Sequence, residues 1–459
     1  LTFDDRDGRR YLGPGARRVK TSHDAPRGLL HRILPFAMAL ALGACGARSG
    51  LNVPDGDIDA SALPDGGLDG AVPLDPDAGV PCFEVPFEGE TVEVPLQLEA
   101  ELARADVLFL VDTTLSMEDE INAIRSSLQD RIAPQIAATI PDSALGVATF
   151  ADFPEGDCGS RGDDTPFSLV QRITQDLNQV QAALDLIRLG NGLDKPESQV
   201  EALFQVATGR GMQGYVPPSA GCPSGGFGYP CFRQGALPVI LLFTDAPFHN
   251  GPDGRNAYPC ASEIALTSRD TPATYEDAEQ ELERIGASVI GLFSGDGEGR
   301  GDLLRVVEDT NESSTNPDDL LFDIGMRGER LTDSVVDAVE TLADTIQFDV
   351  DTQLLDPDLS DSVDPRDFVE RVVPIRAIPM DRIEGIDVEA GAFRGVRAGT
   401  LVFFALELFN DAVVPGPQPQ RFLLEVVFRG DERTRLGSRV VQIVVPGADG
   451  AGCEALGDP

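Results

Sequence analysis

Between residues 104 and 347 short apolar runs alternate with stretches of helical spacing, and this alternation restricts the fold more than any other feature of the chain. Val107 to Val111, Leu145 to Phe150, Val239 to Phe243 and Ser288 to Phe293 are bounded by turn residues. They are too short for helices and suit buried strands. Asp119 to Ile140 carries Ile121, Ile124, Leu128, Ile132 and Ile136 at helical spacing, with Pro134 placed to bend it. Val180 to Ile187, Val200 to Ala207, Glu276 to Ile285 and Leu331 to Ile346 read as further helices. Repeated βα alternation predicts an α/β fold: a doubly wound, mostly parallel sheet with helices on both faces. Ligands of such sheets bind outside the carboxyl ends of the strands.

The flanking sequence has a different period. Glu90 to Leu98 alternates as a strand before the α/β region, and Val372 to Ile378, Leu401 to Phe409, Phe422 to Phe428 and Val440 to Val445 follow it with Gly and Pro turns. Strands so spaced predict a β-sandwich. The α/β region, 104–347, is either inserted between residues 82–103 and 348–453 of that sandwich or followed by an independent β domain with a loose N-terminal strand. Cys82 and Cys453 bracket the folded region; joining them would close a very long loop, worth about 4 to 5 kcal/mol by chain entropy.

Residues 1–45 read as an export signal. Arg17, Arg18, Lys20, Arg27 and Arg32 precede the run ILPFAMALALGA and then Cys45. The run is shorter than the ~20 residues a spanning helix needs and fits a signal-peptide core. Val19-Lys20 is the expected signal start, with Val19 read from an alternative initiation codon. Leu42-Gly43-Ala44-Cys45 resembles a bacterial lipobox, which implies cleavage before Cys45 and lipid on its sulfur. Residues 46–81 are rich in Asp, Gly and Pro and lack aromatic residues, a composition expected of a disordered tether. Cys82, Cys158, Cys222, Cys231, Cys260 and Cys453 form an even set suited to disulfides in an oxidising compartment. The expected location is the bacterial envelope, as a lipoprotein of the outer membrane or cell surface, touching membrane through the lipid alone.

A formal charge of −41 over 459 residues excludes nucleic-acid binding, which needs a concentrated basic face. His249 is the lone histidine beyond the signal region, so multi-histidine metal sites and HExxH chemistry are excluded as well. A lone histidine is expected to be structural, and no Ser or Cys partner is placed to make a triad with it.

The stretch LFLVDTTLSMEDE, Leu108 to Glu120, passes from an apolar strand directly into alternating carboxylate and hydroxyl residues. Asp112, Thr114 and Ser116 follow the strand end, where alternate side chains can point at one centre. Oxygen donors without imidazole or thiolate suit a hard cation, Mg²⁺ or Ca²⁺. A turn followed by a helix capped by Ser116 is the competing reading.

Two more segments complete a resemblance. Asp112-Thr113-Thr114-Leu115-Ser116, GNGLDKPESQVEAL with Glu197, and LLFTDAPFHNGPDG with Asp245 together resemble a von Willebrand factor A domain, in particular the integrin β subunit I-like domain with its metal-ion-dependent adhesion site. The resemblance implies direct ligation of Mg²⁺ by Thr114, Ser116 and Glu197, and ligation through water by Asp112 and Asp245. One coordination position is left for a carboxylate of a protein partner. It implies an adjacent Ca²⁺ site at Ser116, Asp119 and Glu120, whose acids are also favourable first-turn residues against the helix dipole. A third site is implied at Asp152, Asp194, Glu197 and the Pro196 carbonyl. There the sequence departs from the pattern: Asn191 is displaced by an extra Gly192. In integrins the I-like domain is inserted into a β-sandwich hybrid domain, a plan this chain can repeat. The loop position of Cys260 implies pairing with Cys222 or Cys231, leaving Cys158 for the other.

The tripeptides Arg161-Gly162-Asp163 and Arg300-Gly301-Asp302 are expected by chance in a chain of this composition, and Asp356 to Pro365 is expected to be a surface loop. The leading functional reading is non-enzymatic: a lipid-anchored adhesion or ligand-binding protein whose cation is completed by a partner's Asp or Glu. The alternative is an envelope scaffold in which the metal stabilises the fold.

Overall fold

The computed structural model describes residues 80–455 apart from positions 296, 313, 315 and 361; the expected signal sequence, Cys45 and nearly all of the tether lie outside the described residues. In chain order the strands are β1 (Cys82–Glu84), β2 (Val92–Ala100), β3 (Arg104–Asp112), β4 (Asp142–Phe150), β5 (Ser168–Thr174), β6 (Leu237–Thr244), β7 (Ser288–Phe293) and β8 (Leu321–Asp323). They continue with β9 (Gln347–Leu355), β10 (Val369–Ile378), β11 (Gly385–Asp387), β12 (Ala392–Arg397), β13 (Thr400–Leu408), β14 (Gln420–Gly430) and β15 (Thr434–Val445). The helices are α1 (Glu118–Ser127), α2 (Ala133–Thr139), α3 (Leu177–Leu186), α4 (Gln199–Thr208), α5 (Ala261–Thr267), α6 (Tyr275–Ile285), α7 (Arg300–Thr310) and α8 (Leu331–Thr345).

Strands β3 to β8 form one sheet in the order β5-β4-β3-β6-β7-β8. Every pairing in it is parallel except the antiparallel β4–β5 edge. The central strand is buried on both sides because its side chains alternate. Val107, Phe109 and Val111 pack with Ile121, Ile124, Val335 and Leu342, whereas Leu108 and Leu110 pack with Val200, Leu203, Leu282 and Val306. Helices therefore cover both faces. Phe109 stacks on Phe243 of β6 at 6.0 Å, and burial of each such ring contributes about 1.5–3 kcal/mol. The strand order reverses between β3 and β6, which opens a crevice at their carboxyl ends.

The expected helix from Asp119 to Ile140 is present but interrupted. A π-helical turn, Leu128–Ile132, separates α1 from α2, and Pro134 sits in the first turn of α2, where its missing N–H costs least. The edge strand β5 and the helices α5 and α7 escape the periodicity reading. In β5 Ser168 is exposed and the other side chains, Gln171 and Arg172 among them, are half-buried, so no apolar run marks it.

The remaining strands build two sheets, β1-β15-β14-β9-β12-β11 and β10-β13-β2. β2 pairs along its whole length with β13, from Val92 opposite Leu408 to Ala100 opposite Thr400. β1 pairs with β15. Strands before residue 104 are thus completed by strands after residue 347. The two sheets meet at Phe404, which packs edge-on against Phe393 at 5.0 Å and against Phe428 at 5.6 Å. In β2 and β14 buried and half-buried or exposed residues largely alternate, as in antiparallel strands with one face on a core.

Cys82 is joined to Cys453 across a separation of 371 residues. The pairing implied by the integrin-like loop position is corrected: Cys260 bonds Cys158, and Cys222 bonds Cys231. Cys158 and Cys260 lie in the same buried core, packed with Phe153 and Tyr258. Cys222 and Cys231 close a local loop in which Phe227 and Phe232 exchange backbone hydrogen bonds of 3.1 and 2.8 Å. Three disulfides fit maturation in an oxidising, extracytoplasmic compartment. Among the described residues no helix is long and apolar enough to cross a membrane.

Candidate metal centre

The end of β3 is shaped by Thr113. Its backbone N–H and its hydroxyl both donate to the Phe150 carbonyl at 2.8 Å, and its own carbonyl accepts from Gly190 N at 2.8 Å. With Thr113 tied sideways into the sheet, its neighbours face the crevice. Asp112 is fully buried. Its Oδ1 accepts from Thr114 N at 3.0 Å and Thr114 Oγ1 at 2.7 Å, and its Oδ2 accepts from Thr244 Oγ1 at 2.9 Å. Thr114 Oγ1 lies 3.3 Å from Ser116 Oγ, and Ser116 Oγ donates to Asp245 Oδ1 at 3.2 Å. Ser116 does not cap α1; its hydroxyl joins the crevice.

Glu197 arrives from the loop before α4. Its N–H donates to Pro247 O at 2.9 Å, and its carbonyl accepts from His249 N at 2.8 Å, so the segment lies against the loop that follows β6. Gly192 holds φ +57°, and a Cβ there would stand 2.6 Å from Glu197 Oε1 and 3.2 Å from Thr114 Cγ2. A residue with a side chain would fill the space between those two groups. Asp164, buried in the same loop cluster, accepts from Asn191 N at 2.7 Å and fixes this turn. All five predicted residues of the central site, Asp112, Thr114, Ser116, Glu197 and Asp245, therefore come together.

The electrostatics of this cluster are those of crowded, buried carboxyls whose charged forms lack compensation among the described residues. Burial, then the charge of Asp245, pushes the Asp112 carboxyl up to about 7 against the bonds from Thr114 and Thr244. Burial, then Asp112, Asp152, Asp164 and Asp194, pushes Glu197 up to about 12. Glu197 Oε2 is buried without a hydrogen-bond partner among the described residues. Buried polar atoms are nearly always paired, and a cation inverts the repulsion that raises these carboxyls. The donor set fits a divalent cation of oxygen preference.

At the adjacent cluster the structure separates the two acids. Asp119 is exposed on the first turn of α1, while Glu120 is buried and close to Gly328. Both Glu120 oxygens lack a hydrogen-bond partner among the described residues, and burial raises its carboxyl to about 7. Ser116 is committed to Thr114 and Asp245 instead.

The third cluster differs from the expectation. Asp152 and Asp194 approach each other, but the side chain of Asn191 turns outward and donates to Asp163 Oδ2 at 3.3 Å. Pro196 stands beside Glu197 in the same loop. The inward place is taken by His249, which sequence reasoning read as structural. Its Nε2 lies 3.2 Å from Asp152 Oδ2 and 3.3 Å from Asp194 Oδ2. Burial lowers its pKa, but the two carboxylates outweigh that and set it at about 9. The ring stacks on Tyr258 at 4.2 Å, and Tyr258 donates to Ser198 Oγ at 3.1 Å. The signal available in the sequence was the position of His249, four residues after Asp245 in the strand-end loop.

The second Arg-Gly-Asp stretch is structural: Asp302 is buried, paired with Arg255 at 2.6 Å, and accepts from Phe248 N at 3.1 Å. In the first, Arg161 pairs with Glu155 at 2.7 Å.

Fold and site together define a mixed α/β protein with buried carboxylates and hydroxyls gathered at a strand-end crevice. No protein-family model matches the sequence, and no curated protein sequence matches it. Among solved structures the chain is similar to a von Willebrand factor type A protein from Catenulispora acidiphila, with 12% identity and a TM-score of 0.33 over 81% of this chain and 75% of that one. It is also similar to the pilus adhesin SpaC of Lactobacillus rhamnosus GG, with 12% identity and a TM-score of 0.33 over 78% of this chain and 45% of that one. A third similarity is to proximal thread matrix protein 1 of the mussel byssus, at 13% identity and a TM-score of 0.32 over 56% and 50%. At these values no ligand or partner carries over to this chain.

Proposed function

We propose that this chain is a non-enzymatic adhesion or ligand-binding protein of the bacterial surface, built as a von Willebrand factor A domain of integrin β type on a β-sandwich. A divalent cation, Mg²⁺, is held by Thr114, Ser116 and Glu197, with Asp112 and Asp245 acting through water, and it supplies a coordination position to an Asp or Glu of a protein partner. The supporting observation is convergence: five oxygen-bearing side chains, from the loops that follow β3 and β6 and from the loop that precedes α4, meet where this fold binds ligands, and one buried carboxylate oxygen among them lacks a protein partner. Ca²⁺ is the cation proposed for the adjacent Ser116, Asp119 and Glu120 cluster.

The test is capture of surface proteins in Mg²⁺ and in chelator, with each captured partner then titrated against the wild-type chain. Binding that disappears in chelator, and that fails when the partner's acidic residue is neutralised, supports adhesion. Equal affinity in both conditions removes that reading and leaves the cation as a fold stabiliser in an envelope scaffold. The anchor is tested separately: Cys45→Ala is expected to move the protein from the membrane fraction to the soluble one, and unchanged retention would reject lipid attachment.

A further inference from the structure

The ligating atoms of Asp152, Cys158, Asp194 and His249 all lie within 4.8 Å of one another. Cys158 is bonded to Cys260 and offers no thiolate, which leaves two carboxylates and one imidazole. Asp152 Oδ1 is already occupied: it accepts from Phe153 N and Ser198 Oγ, both at 2.7 Å. His249 Nδ1 faces the Asn256 carbonyl at 2.8 Å. A carbonyl accepts and does not donate, so Nδ1 carries the proton and, in the neutral ring, Nε2 presents its lone pair. Metal-bound histidines are oriented by the same kind of bond from the other ring nitrogen.

Nε2 itself and one oxygen of each carboxylate have no hydrogen-bond partner of their own. Asp152 Oδ2, Asp194 Oδ1 and His249 Nε2 are each buried and unpaired among the described residues, and Asp152 and His249 are 0% and 1% exposed. The contacts from Nε2 to the two carboxylates, 3.2 and 3.3 Å, are close without hydrogen-bond alignment. They match the edge of a coordination polyhedron. With metal–ligand distances of about 2.1 Å, neighbouring donors stand about 3.0 Å apart in an octahedron and about 3.4 Å apart in a tetrahedron.

We propose that Asp152, Asp194 and His249 form a site for a first-row divalent transition cation of the Zn²⁺ or Mn²⁺ class. This departs from the Ca²⁺-type, all-oxygen third site that the sequence resemblance implies. Oxygen-only sets favour Mg²⁺ and Ca²⁺, and an imidazole shifts preference toward transition metals. The residue that makes the difference is His249, standing where the displaced Asn191 does not reach. The proposal is independent of the central site and of any adhesion role.

Co²⁺ is a suitable probe, because its visible absorption reports nitrogen and oxygen ligation. The chelator-treated full chain is expected to bind one Co²⁺ that Zn²⁺ displaces and millimolar Ca²⁺ does not. His249→Asn replaces the imidazole by an amide and is expected to weaken Co²⁺ binding at least ~10-fold while leaving Ca²⁺ binding no weaker than in wild type. Asp194→Asn, at a partly exposed position, is expected to weaken it similarly if the buried His249 variant fails to fold. Asp112→Ala is expected to keep the Co²⁺ spectrum, which separates this site from the central one. A spectrum unchanged by His249→Asn or Asp194→Asn, or Co²⁺ displaced by equimolar Ca²⁺, would overturn the proposal.

Discussion

Asp112→Ala is expected to lower divalent-cation affinity at the crevice by about 100-fold while the domain remains folded. Asp112 faces the central cluster from the fixed end of β3, and its loss removes a buried negative charge beside Asp245 and Glu197. At an effective dielectric near 20, one charge removed at about 4–6 Å from a divalent ion is worth several kcal/mol before solvation of the ion offsets part of it. A net change of about 2–3 kcal/mol corresponds to the expected factor. The core is unaffected, since Val107, Phe109 and Val111 behind Asp112 keep their packing. Alanine does orphan Thr244 and Thr114 hydroxyls that now donate to Asp112. Asp112→Asn retains an acceptor there, and its chelated form is expected to melt above chelated wild type at pH 8, because one of the repelling carboxylates is gone. Isothermal titration with Mg²⁺ and melting in chelator check both points. Unaltered Mg²⁺ affinity in Asp112→Ala would remove Asp112 from the cation site.

The chelated protein is expected to lose stability steadily as pH rises from about 4 to 9, opposite to the acid lability of most folded proteins. Asp112 and Glu120 start from 3.8 and 4.5 and titrate near 7 in the folded chain. Glu197 is pushed higher still, to about 12. A carboxyl whose folded pKa is raised binds protons more tightly in the native state. Its contribution is complete below the unfolded value and disappears as pH rises through the folded one. His249, raised from 6.5 to about 9 by Asp152 and Asp194 against its burial, acts in the same direction. Its contribution is full below about pH 6.5 and is lost through pH 9. Saturating Mg²⁺ is expected to flatten or reverse the slope above pH 6, because cation and proton compete for the same oxygens. At 100 times its dissociation constant a bound cation adds about 2.7 kcal/mol. Urea unfolding across this pH range, with chelator and with Mg²⁺, measures both curves. A chelated protein equally stable at pH 5 and pH 8 would show that these carboxyls do not repel one another as their burial implies.

The crevice was partly legible in the sequence because several of its oxygen-bearing residues follow short apolar runs. A run such as Val107 to Val111 is a buried strand by length alone, and the residue that ends it stands at the carboxyl edge of a parallel sheet. Asp112 follows from that position, whereas Asp245 and the separated Glu197 were assigned through the family resemblance of their segments. The displaced Asn191 also marked in advance where the third cluster would depart from its pattern. Among the flanking strands, β2 and β13 to β15 were visible through alternation and apolar content. β9, with Gln347, Asp349, Asp351 and Gln353 along it, and β12, interrupted by Arg394 and Gly395, were not, because polar residues leave each of them too few apolar positions to mark a strand.

The sequence by itself determined the period of each segment, and through it the order of strands and helices and the oxygen donors at the strand ends. Those are local properties, fixed by steric repeat and by which residues can leave water. Tertiary structure decided what depends on distance between segments far apart in the chain. It paired Cys158 with Cys260 because both enter one buried core, separated exposed Asp119 from buried Glu120 on consecutive positions of α1, and turned Asn191 outward. It also brought His249 between Asp152 and Asp194, 97 and 55 residues away in sequence. An imidazole's role is set by the charges packed around it, and no spacing along the chain records which charges those are.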